Sequence, residues 1–425
     1  MIVTVPYSTK RLECEIPPGN LLGVYEPKEL PAAQEQEEIL RAISNPVGQR
    51  SIRRMASAAD RVVIVADDIT RKTPVKSILP AILDELNLAG ISDDRIDVVV
   101  ALGTHLPMSE EDNVERFGKA IVERVRIRNH NCHDEKSLHL LGRTPTGIPV
   151  WINKQVLEAD VKIGVGTIFP HRVAGFSGGS KIIMPGVCGA QTIGITHVNS
   201  ARFTSEAILG IRDNLIRRDM DYIAEKVGLT AIFNTALNKE GKVARAFCGD
   251  FRRAFQEGAN FESRFVEIKV PNRSDIVITD SHPYESDFWS SGEKGLTAGE
   301  IAVRNGGTVI FAHPCYKGLM AGRAEEEFLS LVRETPDRIL HRVETGEVQD
   351  LVAAATAAII GQVRMKANVI MVSEGITTEV ASSLGFRLSR SLDDAVEMAL
   401  RTHGSDAQVC VLRHGAHIVP RIAEP

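Results

Sequence analysis

Four short stretches of this sequence carry side chains whose types and spacing suit chemistry. In Asp67-Asp68-Ile69-Thr70-Arg71-Lys72-Thr73-Pro74 an arginine stands just before a helix-starting Thr-Pro pair. A guanidinium there can grip a carboxylate through two parallel hydrogen bonds, and Asp68 can orient it or a hydroxyl. An Asp–Arg ion pair beside a helix cap explains the same residues without a ligand. In Gly103-Thr104-His105-Leu106-Pro107-Met108, His105 closes an apolar run, where an imidazole with an ordinary pKa of about 6.5 serves better as a general base than as packing. A satisfied loop residue is the plain alternative.

The third stretch, Pro170-His171-Arg172-Val173-Ala174-Gly175-Phe176-Ser177-Gly178-Gly179-Ser180-Lys181, is the most informative. Two adjacent glycines between serines let the backbone approach a phosphate, while Lys181 adds charge or a nucleophilic amine. A glycine-rich tight turn is the bland reading. The stretch is neither a Walker A loop nor GxGxxG, so ordinary nucleotide binding has no direct support. The fourth, Gly194-Ile195-Thr196-His197-Val198-Asn199, offers one possible metal ligand with no second His or Cys at i+3 or i+4, which argues against a protein-only cage. Asn129 to Glu135 crowds His130, Cys132 and His133 together without zinc-site spacing and reads as a surface loop. His282, His313, Cys315, His414 and His417 stand alone, with core or surface roles expected.

The elements that must position these residues follow from hydrophobic patterning. Arg61–Ala66 (RVVIVA), Asp97–Leu102 (DVVVAL) and Val161–Ile168 read as buried strands, with helices at Val75–Leu88 and near Ser109–Phe117 and a strand near Val125–Arg128. After the linker Val270-Pro271-Asn272-Arg273 the same alternation resumes: Asp275–Thr279, a helix near Gly295–Arg304, Gly307–Ala312, Lys366–Val372 and Val409–Leu412. In open parallel sheets ligands gather at the carboxyl ends of strands, so the first three stretches are expected to share one crevice.

The 425 residues suffice for two or three domains, and 43% hydrophobic with 25% charged residues exclude disordered, collagen-like or coiled-coil classes. A net charge of -5 supplies no global attraction to nucleic acid or an anionic membrane. The longest apolar stretch, Leu351–Val363, has thirteen residues and reads as a packed helix, too short to span a bilayer. The alternating N-terminus lacks signal-peptide features, and six scattered cysteines read as reduced, mostly buried thiols; a cytoplasmic location is expected.

Together and in this order, DDITRKTP, GTHLPM, FPHRVAGFSGGSKIIMPG and the His197 segment resemble the nickel-pincer lactate racemase family across nearly the whole chain. The resemblance implies α/β architecture: two Rossmann-like layered domains with mostly parallel sheets and the active site between them. The expected division is 1–270 and 271–404, with 405–425 free either to rejoin the first domain or to add a strand to the second. It also implies a nickel-pincer nucleotide cofactor (nickel pyridinium-3,5-bisthiocarboxylic acid mononucleotide), supplied by cofactor-synthesis enzymes. Lys181 matches the tethering lysine and His197 the nickel ligand. The lone histidine then makes sense, because the organic ring supplies the other donors of a planar four-coordinate nickel. The Ser177-Gly178-Gly179 backbone is expected to hold the mononucleotide phosphate. His105 and His171 match the acid/base pair, and Asp68 and Arg71 the substrate-side pair. The implied reaction inverts C2 of a 2-hydroxy acid by hydride transfer to and from the cofactor, one imidazole serving each enantiomer.

Lactate-specific members carry an aromatic-Gln pair with a lysine four residues after the aromatic. Here Asp287-Phe288-Trp289-Ser290-Ser291-Gly292-Glu293-Lys294 has serine for glutamine and one extra residue before the lysine. A tryptophan that some members place over the substrate has no evident equivalent, Trp151 and Trp289 being the two in the chain. The expectation is therefore a racemase or epimerase for a 2-hydroxy acid other than, or broader than, lactate, with Lys294 a carboxylate or substrate contact. Two alternatives stay open: an NAD-dependent 2-hydroxy acid dehydrogenase, against which the missing GxGxxG counts, and a non-enzymatic nickel-cofactor carrier, which has no use for His105, His171 and Arg71 together.

Overall fold

Runs of β-branched residues with no polar alternation can be satisfied only as strands buried on both faces, and the computed structural model, which describes residues 1–58 and 60–423, places them so. Val62–Ala66 is buried at every position; Val63 and Val65 enter one hydrophobic core while Val62, Ile64 and Ala66 enter another. The same split occurs in a second sheet, where Val277 and Val309 face one core and Ile276, Ile278 and Ile310 face the other. The fold is thus α/β, built on two six-stranded, mostly parallel sheets.

The first sheet runs in the order 243–249, 231–237, 161–167, 62–66, 96–100, 126–129, with only the first of these antiparallel to its neighbour. The order reverses between Val161–Thr167 and Val62–Ala66, and a crevice opens at such a switch point because successive loops leave in opposite directions. The loops beginning at 67, 101 and 168 all rise around it. The second sheet is parallel throughout, in the order 387–389, 367–372, 303–312, 274–280, 409–412, 21–25.

The sheets divide the chain differently from a single cut at 270. The hairpin Ile2–Tyr7 with Lys10–Glu15 buries Val3, Val5 and Tyr7 against the second sheet, and Leu21–Tyr25 pairs with Val409–Leu412 at its edge. Val409–Leu412 is itself an interior strand of that sheet rather than a return to the first. Val419–Ile422 pairs with Glu267–Val270 at the junction; Glu424 and Pro425, the end of the 405–425 segment, lie outside the described residues. We propose domains that follow the sheets, with 1–25 grouped with 271–412.

Two helices of the second unit reach the crevice. Phe288–Ala302 starts seven residues before the expected Gly295 because Asp287 caps it, accepting the Ser290 N–H at 2.8 Å. Leu351–Lys366 packs so closely on Ala190–Ala201 that a Cβ on Gly194 would lie 2.6 Å from Leu351 Cβ. No helix among the described residues is long and apolar enough to cross a membrane, and all six cysteines are free and buried.

The loop bearing His171 is held by a two-residue ladder that pairs His171 with Gly175. Gly175 has φ +78, and a Cβ there would sit 1.9 Å from the Ile211 carbonyl oxygen. Gly175→Ala is therefore expected to cost about 3 kcal/mol through backbone strain and overpacking, measured by chemical denaturation; a variant as stable as the parent would show that the ladder is not rigid.

Candidate active site

The turn after Val62–Ala66 separates its two aspartates by function. Asp67 forms a buried ion pair with Arg116 and accepts the Thr73 hydroxyl at 2.5 Å. The same guanidinium donates to the carbonyls of Asp67, Arg71 and Thr73, fastening the turn. Asp67 is thus in an ion pair, but with Arg116, 49 residues away, and not with the Arg71 of its own stretch. Asp68 instead accepts the Thr70 hydroxyl and lies 2.8 Å from His105 Nδ1. Burial opposes ionisation of Asp68, yet His105, Arg71 and Thr70 outweigh it and hold the carboxyl well below the usual carboxylate range. Asp68 orients His105, not Arg71.

Hydrogen bonds set the tautomers of three histidines. With Asp68 on Nδ1, His105 presents the Nε2 lone pair, which the Arg71 guanidinium approaches at 3.5 Å. His171 is arranged the opposite way: its Nδ1 accepts the Val173 N–H at 3.1 Å, so Nε2 carries the proton. His197 donates Nδ1–H to the Ile193 carbonyl at 2.8 Å, one turn back on its helix, and keeps a free Nε2 lone pair. Such a back-bond to a carbonyl is how proteins aim an imidazole ligand at a metal.

All three histidines line one cavity with Asp68, Arg71, Ser177, Gly178, Lys181 and Lys294. Its remaining wall comes from Trp289, Ser290, Glu293 and the face Val352, Ala355, Thr356 and Ile359 of the second unit's helix. Those helix positions recur at i, i+3, i+4 and i+7, a stripe that read from sequence as packing alone. Burial, reinforced by Lys181, Lys294, Arg71 and His197, holds His171 well below the ordinary histidine range. Burial and the charges of Arg71, Lys294 and Arg217 bring Lys181 down to about 7; burial brings Lys294 down to about 8, with Arg71 adding to it and Glu293 opposing it. Burial likewise lowers His197, against its bond to Ile193. The cavity therefore holds His171 and His197 as neutral imidazoles beside crowded cationic groups that an incoming anion would relieve.

The glycine pair behaves differently from the phosphate cradle expected of it. The Ser177 N–H is spent on the Phe169 carbonyl at 2.8 Å, its hydroxyl on the Thr167 carbonyl, and the Gly179 N–H on Asn234 Oδ1 at 2.8 Å. Both glycines have positive φ, and a Cβ at 178 or 179 would press on Ile168 or Phe255 at 2.7 or 2.8 Å. Tight packing accounts for the two glycines and internal hydrogen bonds for Ser177; Gly179 does not line the cavity, whereas Ser177 and Gly178 do. The neighbouring Arg172 is buried, donating to Ser205 Oγ at 3.1 Å and to Gln362 of the second unit at 2.9 Å.

His130 is not a surface residue. Its Nε2 donates to the Cys188 carbonyl at 2.8 Å and its Nδ1 accepts from Asn153 at 3.2 Å, a closed structural arrangement. Among the described residues no three His, Cys, Asp or Glu side chains converge as a metal cage.

An ordinary lysine amine titrates near ~10.4, so an amine-reactive acylating reagent in excess should modify Lys181 with a rate that is half-maximal near pH 7. Peptide mass mapping across a pH series reads this directly; a midpoint in the ordinary lysine range would mean that Lys181 is not held among cations in a dry cavity.

Residues 7–208 match the lactate racemase N-terminal domain family, and residues 270–419 match the lactate racemase C-terminal domain family. The chain is 28% identical over 428 aligned positions to a lactate racemase of Thermoanaerobacterium thermosaccharolyticum, covering 99% of each chain. It is 29% identical to a lactate racemase of Lactiplantibacillus plantarum, covering 98% of this chain and 99% of that one. The structure of the lactate racemase apoprotein from T. thermosaccharolyticum superposes with a TM-score of 0.90 at 28% identity, over 99% of this chain and 100% of that one. A crystal structure of a Thermotoga maritima protein shares the fold, with a TM-score of 0.70 at 16% identity over 91% and 97% of the two chains. Two family matches in the expected order, full-length relatives and a shared architecture lead to one conclusion: this chain belongs to the lactate racemase family.

Proposed function

We propose that this protein is a racemase or epimerase that inverts C2 of a 2-hydroxy acid, with His105 and His171 as the two acid/base groups. The observation that carries the reading is the pair of opposite tautomers on one cavity, a lone pair at His105 Nε2 and a proton at His171 Nε2. His105 can take the hydroxyl proton of one enantiomer, and His171, taking up a second proton as the substrate's negative charge arrives, can return one from Nε2 to that oxygen in its mirror image. Family membership, through relatives named lactate racemases, supports it.

The side chains fit the nickel-pincer nucleotide that the sequence resemblance implies. A single imidazole with a free Nε2 lone pair and a depressed-pKa amine line the same cavity, which suits a cofactor that brings most of its own metal donors. His197 would complete the nickel coordination and Lys181 would form the covalent tether. When bound, the group supplies a hydride acceptor and donor for C2. With Ser177 and Gly179 committed internally, Gly178 is the member of the glycine pair left facing the cavity toward the nucleotide.

The remaining work falls to the chain itself. Arg71 and Lys294, both at the cavity, clamp the substrate carboxylate. Asp68 accepts the Nδ1–H of His105 and stabilises the imidazolium that forms when His105 takes a proton. His171 lacks a carboxylate behind it, and the surrounding cations resist its protonation until the substrate's negative charge arrives. Ser290, standing where lactate-specific members carry glutamine, lines the second unit's wall with Glu293 and Lys294, which supports a substrate range not confined to lactate.

Two outcomes are expected. Cofactor-loaded protein given one enantiomer of a 2-hydroxy acid in deuterated water should produce the other without added NAD and without deuterium at C2 by NMR; solvent deuterium at C2 would indicate proton abstraction, and a requirement for NAD a dehydrogenase. Asp68→Asn should leave the cavity intact but lower kcat by about 10²–10⁴, because His105 loses the carboxylate that orients and stabilises it. Unchanged kcat would remove His105 from the proton path.

A further inference from the structure

Two amines line the active cavity, and the fold treats them differently. Lys294 Nζ donates to the Ser290 carbonyl at 3.0 Å and sits 5.7 Å from the centroid of the Tyr284 ring. Among the described residues no hydrogen bond or ion pair reaches Lys181 Nζ, although Lys181 lines the same cavity. Burial and the charges of Arg71, Lys294 and Arg217 bring this amine down to about 7, so a large share of it is unprotonated at neutral pH. A free lone pair on a desolvated lysine among cations is the condition under which an amine attacks a carbonyl carbon.

The backbone beneath that amine is fixed. Lys181 stands on the short 3-10 helix Gly179–Ile182. Arg217, 2% exposed on the helix Leu215–Val227, donates to the Gly178 carbonyl at 2.9 Å, to the Phe176 carbonyl and to Ser180 Oγ at 3.2 Å. Ser180 in turn donates to Asp221 Oδ1 at 2.5 Å, and the guanidinium carbon of Arg217 lies 4.1 Å from the centroid of the Phe255 ring. A nucleophile held at its base and unbonded at its tip has little freedom left to lose on reacting.

The rest of the cavity defines which carbonyl compound fits. The Arg71 guanidinium reaches His105 Nε2 at 3.5 Å and forms no ion pair among the described residues; Lys294 adds a second cation, and together they accommodate a carboxylate. His105, with Asp68 at 2.8 Å behind it, offers a lone pair that can carry protons. A carboxylate and an electrophilic carbonyl meet in a 2-oxo acid.

We propose that, before a cofactor takes this amine, Lys181 forms an imine with 2-oxo acids whose carboxylate is held by Arg71 and Lys294. The amine nitrogen bonds C2 as the second bond between C2 and its oxygen breaks. Both amine hydrogens pass, one at a time through His105 Nε2, to that oxygen, which leaves as water, and C2=N replaces C2=O. No oxidant or reductant is consumed. The assignment rests on the carboxylate clamp of the 2-hydroxy acid reading and gives a second use to the amine that the same reading assigns to the tether.

The test treats the full-length apoprotein at neutral pH with pyruvate and sodium cyanoborohydride, which reduces an imine to a stable amine, and maps the product by intact-mass and peptide mass spectrometry. One carboxyethyl group per chain should appear on Lys181, at a rate that saturates with pyruvate. Acetone has the carbonyl without the carboxylate; after each rate is divided by that on free Nα-acetyllysine, acetone should label Lys181 about tenfold more slowly than pyruvate. Arg71→Met should bring the pyruvate rate down to the level of acetone, and Lys181→Arg should leave no site-specific label. Lys181 labelled no faster than surface lysines, or equal corrected rates for pyruvate and acetone, would overturn the assignment, and both are read on the parent chain without any variant. Trapping at Lys181 by an apoprotein whose cofactor-loaded form inverts no 2-hydroxy acid would retain the imine site and sink the racemase reading, whereas racemisation by the loaded form with no trapping by the apoprotein would sink the imine alone.

Discussion

Crowding of like charge in a dry cleft is the constraint on which this structure turns. Arg71, Lys181 and Lys294 converge on one cavity whose acidic members are Asp67, paired with Arg116, Asp68, already committed to His105, and Glu293. Cations drawn together out of water lower one another's proton affinity, and the two amines respond by moving toward neutrality. From that one condition three properties follow. His171 stays unprotonated, Lys181 becomes nucleophilic, and the cavity gains affinity for anions that complete its charge balance. The same crowding would be a defect in a packed core; at a cleft between two units it is a binding energy waiting for a carboxylate.

The two sheets make this crowding tolerable by sharing it. Arg71 comes from a loop and Lys181 from the short 3-10 helix Gly179–Ile182 of the first unit, Lys294 from a helix of the second. The interface holding them in place is itself heavily bonded. Buried Arg172, next to His171, reaches Gln362 on Leu351–Lys366, and Gln362 in turn donates to the Ala201 carbonyl at 2.6 Å. Gly194 admits Leu351 at a distance that any larger residue would forbid. The loop bearing His171 is thereby tied, through Arg172, to the helix that forms the opposite cavity wall, so relative movement of the units would have to break these bonds before His171 could shift against Val352, Ala355 and Ile359.

Much of this was legible in the sequence, and the reasons for the remainder are physical. RVVIVA, DVVVAL and DIVIT admit one reading because a run without polar relief must be buried on both faces, and a residue directly after such a strand in a parallel sheet lies at the crevice. Ala231–Leu237 escaped notice because its interior carries Asn234 and Thr235, which weaken a strand signal. Those polar residues have work: Asn234 fixes Gly179, and Thr235 bonds Thr167 at 2.8 Å beneath the site. Pairings between distant segments left no local trace. Nothing near Asp68 announces His105, 37 residues on, and nothing near Gly178 reveals that its neighbours have spent their N–H groups. Histidine tautomers were hidden for the same reason, since each is decided by a partner that only the folded chain supplies.

The opposite tautomers impose a kinetic condition on the proposed racemase. For a substrate whose only stereocentre is C2 the two forms are enantiomers of equal free energy, so kcat/KM must be the same in both directions whatever the site looks like. Yet the two acid/base groups differ: His105 is backed by an ionised carboxylate, whereas His171 accepts a backbone N–H and faces cations. Deprotonating the enantiomer whose hydroxyl faces His105 is favoured by Asp68, and deprotonating the one facing His171 is not. Equality can then be kept only if the easier direction starts from a more tightly bound ground state, with kcat and KM differing in parallel between enantiomers. A carboxylate clamped by Arg71 and Lys294 narrows the difference, because its negative charge offsets the field that holds His171 neutral. Substrate binding and base strength are thus a single electrostatic property of the cleft, and no substitution at Arg71 or Lys294 can alter one without the other.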